Sequence, residues 1–328
     1  MMVLVDDDVI VAAAASSSVV ELHELMIHSY RRRHVVIGNF EPWFSTLDQQ
    51  SASSYRTAMG YSIRGSATHI GNVATVHIKL NANGKWHDPI AELSLSDALR
   101  LLQEPLGIIV ENAKNDWEFL RKLVTQVTRE TLDQALSNGW ITILHGGGAD
   151  MVANISRRAA VQHLLLRTFA MFDSDRHHPD ELAAGWQPIS PVACQGYKTE
   201  DTARAHLGSR YWRLERRFIE SYLPKAELEA HEAANRNVLA GATEAFFKMP
   251  QRSRSYYNMK DGFNSTSNNA QVRQQDLYAG VAEPDRALLA KGFSRAANRY
   301  TNSQAHFAWD TEAQAEAAAQ LPKLLRLI

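Results

Sequence analysis

The 328-residue chain has one cysteine, Cys194, and no long apolar run. A single cysteine excludes an intrachain disulfide framework and a zinc site built from several thiolates, and it is typical of the reducing cytoplasm. No segment reaches the roughly 20 apolar residues that a membrane-spanning helix needs. Residues 1–20 are interrupted by Asp6, Asp7 and Asp8, and they lack the basic leader and apolar core of a signal peptide. We therefore expect a cytoplasmic protein that does not associate with membranes.

The chain also lacks an excess of charge of either sign. It has 35 Lys and Arg against 36 Asp and Glu, so its formal net charge is -1. Such a balance gives no overall attraction to a polyanion, and any site for one has to be a local basic patch. With 45% hydrophobic residues the chain can bury the core of one large domain or of two smaller ones.

Two apolar segments end abruptly in carboxylates. Residues 169–172 precede Asp173 and Asp175, and residues 106–110 precede Glu111. A strand that is covered on both faces turns polar only where it leaves the sheet, and open α/β sheets carry their sites at that carboxyl edge. We expect the three acids to share one edge. Their mutual repulsion there favours a hard divalent cation between them.

The order of elements around these segments predicts a parallel sheet. Residues 106–172 alternate strand, helix, strand, helix and strand, with a helix from Asp116 to about Val127 and a strand from Ile141 to Leu144. Ser94 is expected to cap a short helix before this sheet. The domain prediction is an N-terminal accessory region over 1–105, a catalytic core over 106–198 and a mainly helical C-terminal part over 199–328.

Other segments give weaker expectations. In the accessory region, residues 73–80 alternate like a half-buried strand, and the turn over 81–85 predicts a hairpin that returns from Trp86. Residues 176–200 are predicted to form a long polar loop, and residues 264–269 a short linker or mobile loop. Residues 2–8 resemble the acidic start of a receiver domain. That interpretation is disfavoured because no apolar strand ending in Asp follows before Gly60.

Several motifs together resemble the Toprim family. They are the Val110-Glu111 pair, a later strand followed by His145-Gly146-Gly147-Gly148, and Phe172-Asp173-Ser174-Asp175. This fold is shared by topoisomerases, primases, nucleases of the overcoming-lysogenization-defect type and Toprim effectors of anti-phage systems. Residues 214–223 and 256–260 resemble the nuclease branch, in which they supply a further acid and a lysine. That branch usually has glycine after the first glutamate and an acid four residues on, whereas here Asn112 follows Glu111 and Asp116 lies five residues on.

The resemblance implies a fold and a chemistry. The fold is α/β, with a Toprim-like parallel sheet flanked by helices, and the activity is magnesium-dependent cleavage of phosphodiester bonds in DNA or RNA. Two Mg²⁺ or Mn²⁺ ions would orient and deprotonate a water, bridge the scissile phosphate and stabilise the leaving oxygen. Lys260 would neutralise charge in the transition state, with Glu111 as the other catalytic residue. The expected metal ligands are Glu111, Asp116, Asp173, Asp175 and Glu220.

The resemblance also implies a setting. Such nucleases are toxic effectors of bacterial antiviral defence that act beside an ATPase or sensor protein, and this chain has no G-x-x-x-x-G-K-[ST] loop of its own. A homo-oligomer is compatible with this role. The alternative is a non-catalytic Toprim-like docking subunit of a defence or nucleic-acid-processing complex, in which Asn112 marks the loss of chemistry.

Three motifs carry two interpretations each. Arg213, Arg216 and Arg217 lie among aromatic residues, and they either bind nucleic-acid phosphates or form an ordinary charged face around a buried Trp212. The glycine loop after His145 either holds a phosphate on its N–H groups or is a tight turn, the second being favoured. The adjacent histidines 177 and 178 are interpreted as a loop feature rather than as a metal site.

Overall fold

Eight strands form two four-stranded parallel sheets. The computed structural model describes residues 1–68, 74–82, 84–86, 90–191, 193–264 and 276–328. The strands are β1 Met2–Val5, β2 Val35–Ile37, β3 Thr75–Ile78, β4 Ile90–Leu93, β5 Leu106–Val110, β6 Ile141–His145, β7 Thr168–Phe172 and β8 Tyr211–Arg213.

Helices surround both sheets. Those of the first half are α1 Asp7–Ala14, α2 Val19–Tyr30, α3 Glu41–Phe44, α4 Gln49–Thr68, α5 Leu95–Gln103, α6 Asn115–Leu123, α7 Gln126–Ser137, α8 Gly147–Ala159 and α9 Gln162–Leu165. Those that follow are α10 Gln195–Leu207, α11 Lys225–Ala234, α12 Arg236–Leu239, α13 Ala242–Lys248, α14 Gln251–Tyr256, α15 Glu283–Leu288, α16 Asn298–Asn302 and α17 Thr311–Leu325. Three short 3₁₀ helices cover Pro179–Leu182, Ile219–Tyr222 and Gly262–Asn264. No helix among the described residues is both long and apolar enough to cross a membrane.

The N-terminal sheet corrects the predicted hairpin. Its order is β2-β1-β3-β4, and β3 pairs with β4 in parallel, with Thr75 beside Ile90. An antiparallel contact after the turn is limited to a single bridge between Lys85 and Glu92. β3 lies inside the sheet, and three of its four residues are buried, so its alternating pattern did not mark a half-exposed hairpin strand. Residues 73, 83 and 87–89 of the predicted hairpin lie outside the described residues.

This sheet gives no support to the receiver interpretation. β1 is indeed a strand that ends before Asp6, whose carboxylate lies 2.7 Å from Nε2 of His77. The neighbouring strand β3 is followed by Lys79, which pairs with Glu92 at 3.3 Å. A lysine after β3 leaves no carboxylate there to accept a phosphoryl group.

The second sheet confirms the predicted parallel α/β core. Its order is β6-β5-β7-β8, with every neighbouring pair parallel. All residues of β5 and β7, the two inner strands, are buried, as their continuous apolar sequences predict. β8 comes from the predicted C-terminal part, and α10 spans residues 198 and 199, where the boundary between the two parts was predicted.

Several predicted helix ends and loops can be compared directly with the structure. Ser94 Oγ accepts a hydrogen bond from the N–H of Asp97 at 3.2 Å, which confirms the predicted cap of α5. α6 ends at Leu123 rather than near Val127, because Thr125 caps α7 by accepting a bond from Thr128 N–H. Val127 is consequently 74% exposed. The predicted loop over 176–200 contains a 3₁₀ turn and the start of α10, and residues 265–269 of the predicted linker lie outside the described residues.

The two sheets share one apolar core. A continuous cluster of buried side chains runs from Val3 and Val76 in the first sheet to Ile108 and Met171 in the second. α5 lies between them and contributes five buried residues. The second sheet is therefore anchored by apolar side chains of its inner strands, and polar side chains occupy its carboxyl edge.

Candidate active site at the carboxyl edge of the second sheet

Glu111 and Asp173 meet where two neighbouring strands end. Glu111 follows β5 directly, Asp173 follows β7 directly, and the two strands are paired in parallel. Oε1 of Glu111 accepts a hydrogen bond from the backbone N–H of Asp173 at 3.3 Å. The register of the sheet thus brings these two predicted residues together.

The segment Arg216–Glu220 runs beside the Asp173–Asp175 loop. Ser174 Oγ donates to the carbonyl of Arg216 at 2.9 Å, and the N–H of Asp175 donates to the carbonyl of Arg217 at 3.2 Å. Oδ1 of Asp173 accepts from the N–H of Ile219 at 3.0 Å. These bonds continue the pairing of β7 with β8 and place the next residue, Glu220, at the acids.

Glu220 is a buried carboxylate with one oxygen left over. It lies in the 3₁₀ helix Ile219–Tyr222 and is 6% exposed. Its Oε2 is buried and has no hydrogen-bond partner among the residues that the structure describes. A buried oxygen without a donor is costly unless another group, such as a cation, satisfies it. Within residues 214–223, the structure thus places the carboxylate of Glu220 close enough to Asp173 and Asp116 for its charge to act on both.

Asp116 and Lys260 complete the cluster from two further segments. Asp116 lies in the first turn of α6, and its Oδ2 accepts the N–H of Asn112 at 2.8 Å. Nζ of Lys260 lies 3.9 Å from Oδ2 of Asp173 and 4.4 Å from the centre of the Phe218 ring. The Lys260 side chain is 50% exposed, so its ammonium group faces both the acids and the solvent.

Asp175 is held in an unusual backbone conformation. Its φ of +53° lies in the left-handed region, which is uncommon for residues other than glycine. Its carboxylate accepts a hydrogen bond from the N–H of Gly196 near the start of α10. A Cβ atom on Gly196 would lie 2.6 Å from the carbonyl oxygen of Ser174 and 3.0 Å from Oδ2 of Asp175. Only glycine allows this close approach, and no motif in the sequence pointed to Gly196.

Burial raises the pKa of every acid in the cluster, and repulsion from neighbouring carboxylates raises it further at Glu111, Asp116 and Asp173. Burial, followed by the charges of Asp175 and Asp116, raises the pKa of Glu111 to about 8. Burial also raises the pKa of Asp116 to about 7 and that of Asp173 well above its usual value, Glu111 and Glu220 adding to the second. The same cause raises the pKa values of Asp175 and Glu220.

The pKa of Lys260 is raised as well, which for a lysine favours the charged form. Burial by itself lowers this pKa. The negative charges of four carboxylates raise it by more, so that the net shift is upward; they are Asp173, Glu220, Glu111 and Asp175. Lys260 is therefore a stable cation beside acids that repel one another. Clusters of groups with perturbed pKa values are typical of functional sites.

The residue types suit a hard cation, although their side chains do not yet converge on one point. Within the described ranges, no three Asp, Glu, His or Cys side chains form a group that could hold a metal ion as they stand. Glu111, Asp116, Asp173 and Asp175 each accept a backbone N–H instead. The buried Oε2 of Glu220 is the oxygen that remains unsatisfied. Carboxylates alone, with room for water, suit Mg²⁺ or Mn²⁺, and rotation of these side chains would be needed to bind either.

Two of the predicted nucleic-acid-binding arginines are engaged inside the protein. Arg216 is buried, and its guanidinium donates to Asp310 at 2.6 Å and to the carbonyl of Ser221 at 3.0 Å. Arg213 pairs with Glu200 at 2.8 Å. Trp212 is completely buried. These residues do not form a solvent-facing basic and aromatic surface, because packing against the C-terminal helices covers them. Arg217, the third predicted arginine, is buried without such a pairing.

The remaining motifs have structural roles. The N–H groups of Gly146 and Gly147 donate to the carbonyls of Val110 and Glu111 at 2.6 and 3.1 Å, so the loop after His145 is a tight turn and these donors are not available to a phosphate. Nδ1 of His178 accepts the N–H of Asp180 at 3.3 Å and caps the 3₁₀ turn that follows. Neither feature belongs to the acidic cluster.

No protein-family model, curated protein or solved structure matches this chain. The resemblance to the Toprim family therefore rests on the sequence motifs alone.

Proposed function

We propose that this protein is a metal-dependent nuclease, with a Toprim-like site at the carboxyl edge of the second sheet. The observation that carries the proposal is that five acids from three parts of the chain, three of them buried and two half-buried, lie around one lysine. Such a cluster opposes folding unless it serves a ligand, because each buried carboxylate loses hydration and repels its neighbours. The unsatisfied Oε2 of Glu220 favours a cation as that ligand.

Each group has a distinct part in this proposal. The ligands for Mg²⁺ or Mn²⁺ are Glu111, Asp173, Asp175 and Glu220, with Asp116 at the edge. Bound there, the metal supplies Lewis-acid polarisation of the phosphate and a lowered pKa for a bound water. Lys260 provides a positive charge for the phosphoryl oxygens in the transition state. The backbone N–H groups of Asp173 and Ile219 fix the carboxylates of Glu111 and Asp173 before a substrate arrives.

The biological setting follows from the motif resemblance. We propose a cytoplasmic toxic effector of antiviral defence that cleaves DNA or RNA beside an ATPase or sensor protein, and that acts alone or as a homo-oligomer. The sequence has no phosphate-binding loop for a nucleoside triphosphate, which supports a separate protein for energy or sensing.

A cleavage assay with a matched variant tests the activity. Purified protein is incubated with labelled single- and double-stranded DNA and RNA in Mg²⁺, Mn²⁺ or EDTA. Asp173→Asn keeps the oxygen that accepts the N–H of Ile219 but removes the charge, so cleavage should fall by about a hundredfold or more with the fold retained. Asp201→Asn, an exposed acid paired with Arg204, is the control and should cleave normally.

The competing function is a non-catalytic docking subunit. The observation in its favour is that no three potential ligands among the described residues converge on one point. It requires that Mg²⁺ and Mn²⁺ leave the melting temperature unchanged up to millimolar concentration, and that no substrate is cut. Metal-induced stabilisation that disappears in Asp173→Asn would exclude it.

A further inference from the structure

Arg217 is a buried cation without an ion-pair partner among the described residues. Arg217 is 7% exposed, and its buried Nε–H donates no hydrogen bond to a described residue. Three other arginines of this part of the chain form ion pairs: Arg176 and Arg213 with Glu200, and Arg216 with Asp310. A buried guanidinium with no carboxylate costs folding free energy, which requires an explanation.

The side chain of Arg217 lies beside the proposed active site. Its guanidinium carbon is 4.8 Å from the centre of the Phe218 ring, and Nζ of Lys260 is 4.4 Å from the same centre. Both cations therefore lie against the same ring. The charge of Asp175 acts on both cations, so the pair lies at the edge of the acidic cluster.

The backbone of Arg217 is fixed independently of its side chain. Its N–H donates to the carbonyl of Ser255 at 2.9 Å, and its carbonyl accepts the N–H of Asp175 at 3.2 Å. The residue is therefore held in place by main-chain bonds that any amino acid could make. The guanidinium adds no hydrogen bond to the described part of the fold, and its donors are left for a ligand.

We propose that Arg217 and Lys260, both in contact with the Phe218 ring, form an anion subsite for a phosphodiester of a nucleic-acid strand, next to the carboxylate cluster. The planar guanidinium binds two phosphate oxygens and the ammonium group binds a third as a point charge. This deepens the proposed nuclease function and rests on it for the identity of the strand. The anion subsite itself does not depend on a metal.

The test uses the metal-free full-length chain and a substitution that keeps side-chain volume without charge. Arg217→Met should leave the melting temperature within about 2 °C of the wild type, because the guanidinium makes no hydrogen bond to the described part of the fold and its attraction for Asp175 offsets the cost of its burial. Arg216→Met, at the preceding residue, is the matched control. It removes the ion pair between Arg216 and Asp310 and should lower the melting temperature. A loss of stability in Arg217→Met as large as in Arg216→Met would overturn the proposal.

Anion binding is measured on the same proteins with inorganic phosphate as the probe at constant ionic strength. Phosphate should stabilise the wild type, and its apparent affinity should fall about tenfold or more in Arg217→Met and less in Arg217→Lys. Equal phosphate affinity of the wild type and Arg217→Met would show that Arg217 does not form an anion subsite.

Cleavage assays separate this proposal from the nuclease function. With nucleic acid and Mg²⁺ or Mn²⁺, kcat/KM should fall at least a hundredfold in Arg217→Met. If the wild type cleaves and Arg217→Met cleaves equally well, the nuclease function stands and the subsite falls. If the wild type does not cleave but phosphate binding still requires Arg217, the subsite stands as an anion site and the nuclease function falls.

Discussion

Nζ of Lys260 lies 3.9 Å from Oδ2 of Asp173, although the two residues belong to segments far apart in the chain. Asp173 directly follows β7, an inner strand of the second sheet, and Lys260 follows α14 in the helical part. The helical part thus contributes a cation to the acids of the sheet. A lysine in this position can offset the repulsion among the carboxylates before any metal binds.

Substitution of Lys260 should affect turnover more than metal binding. A charge that acts mainly in the transition state changes kcat, so Lys260→Ala should cleave roughly a hundredfold more slowly with nearly unchanged Mg²⁺ affinity. Lys260→Arg should restore little activity, because a planar guanidinium does not replace a compact ammonium group. Lys248→Ala, another exposed lysine in an ion pair, is the control. Steady-state kinetics measure kcat, and metal titration measures the Mg²⁺ affinity. Cleavage by Lys260→Ala at the wild-type rate would exclude the lysine from the site.

Substitution of Glu220 should weaken metal binding without unfolding the protein. Glu220→Gln removes one charge from the repelling cluster, so the metal-free protein should melt at the same or a higher temperature. The stabilisation by Mg²⁺ should shrink, since the buried Oε2 would no longer carry charge for the cation. Differential scanning fluorimetry with and without Mg²⁺ measures both effects. Glu229→Gln serves as an exposed control, and an unchanged Mg²⁺ response in Glu220→Gln would contradict its role as a ligand.

The stability of the metal-free protein should depend on the protonation of Glu111. Its folded pKa, about 8, lies above its usual value of 4.5. The folded state therefore holds a proton that the unfolded chain has already released, and this contribution to stability is lost as pH rises from about 4.5 through 8. Stabilisation by Mg²⁺ should grow over the same window, because the cation requires the deprotonated acids.

The comparison with Glu111→Gln isolates this dependence. The buried amino group of Met1, whose pKa is lowered to about 4, contributes with the opposite sign and is present in both proteins. Melting temperatures at several pH values between 5 and 8.5 should show the wild type losing stability relative to Glu111→Gln as pH increases. Parallel curves for the two proteins would show that Glu111 is not protonated in the folded state.

Gly196 should be needed to hold Asp175. A methyl group on Gly196 would lie 2.6 Å from the carbonyl oxygen of Ser174, so Gly196→Ala should shift the loop and cost roughly 1–3 kcal/mol of unfolding free energy. The Mg²⁺ response should fall at the same time. Gly280→Ala, where a methyl group meets nothing within 4 Å, is the control. If urea denaturation gives the same unfolding free energy for Gly196→Ala as for the wild type, the loop accommodates the methyl group without loss of stability.

The sequence by itself determined the parts of the site that depend on local pattern. The continuous apolar runs that end at Glu111 and Asp173 are buried inner strands, since only strands covered on both faces are apolar throughout. Their shared sheet edge follows from the alternation of strands and helices. The cap at Ser94 is equally local, because a hydroxyl and an N–H three residues apart make it.

Tertiary structure alone decided which charged groups have partners. Arg216 and Arg217 are neighbours in the chain, yet Arg216 pairs with Asp310 while Arg217 lies at the acidic cluster. Nothing in the local sequence distinguishes them, because Asp310 reaches Arg216 only through the packing of the start of α17. The parallel pairing of β3 with β4 was hidden for the same reason, since the pairing of strands and the burial of their faces depend on elements distant in the chain.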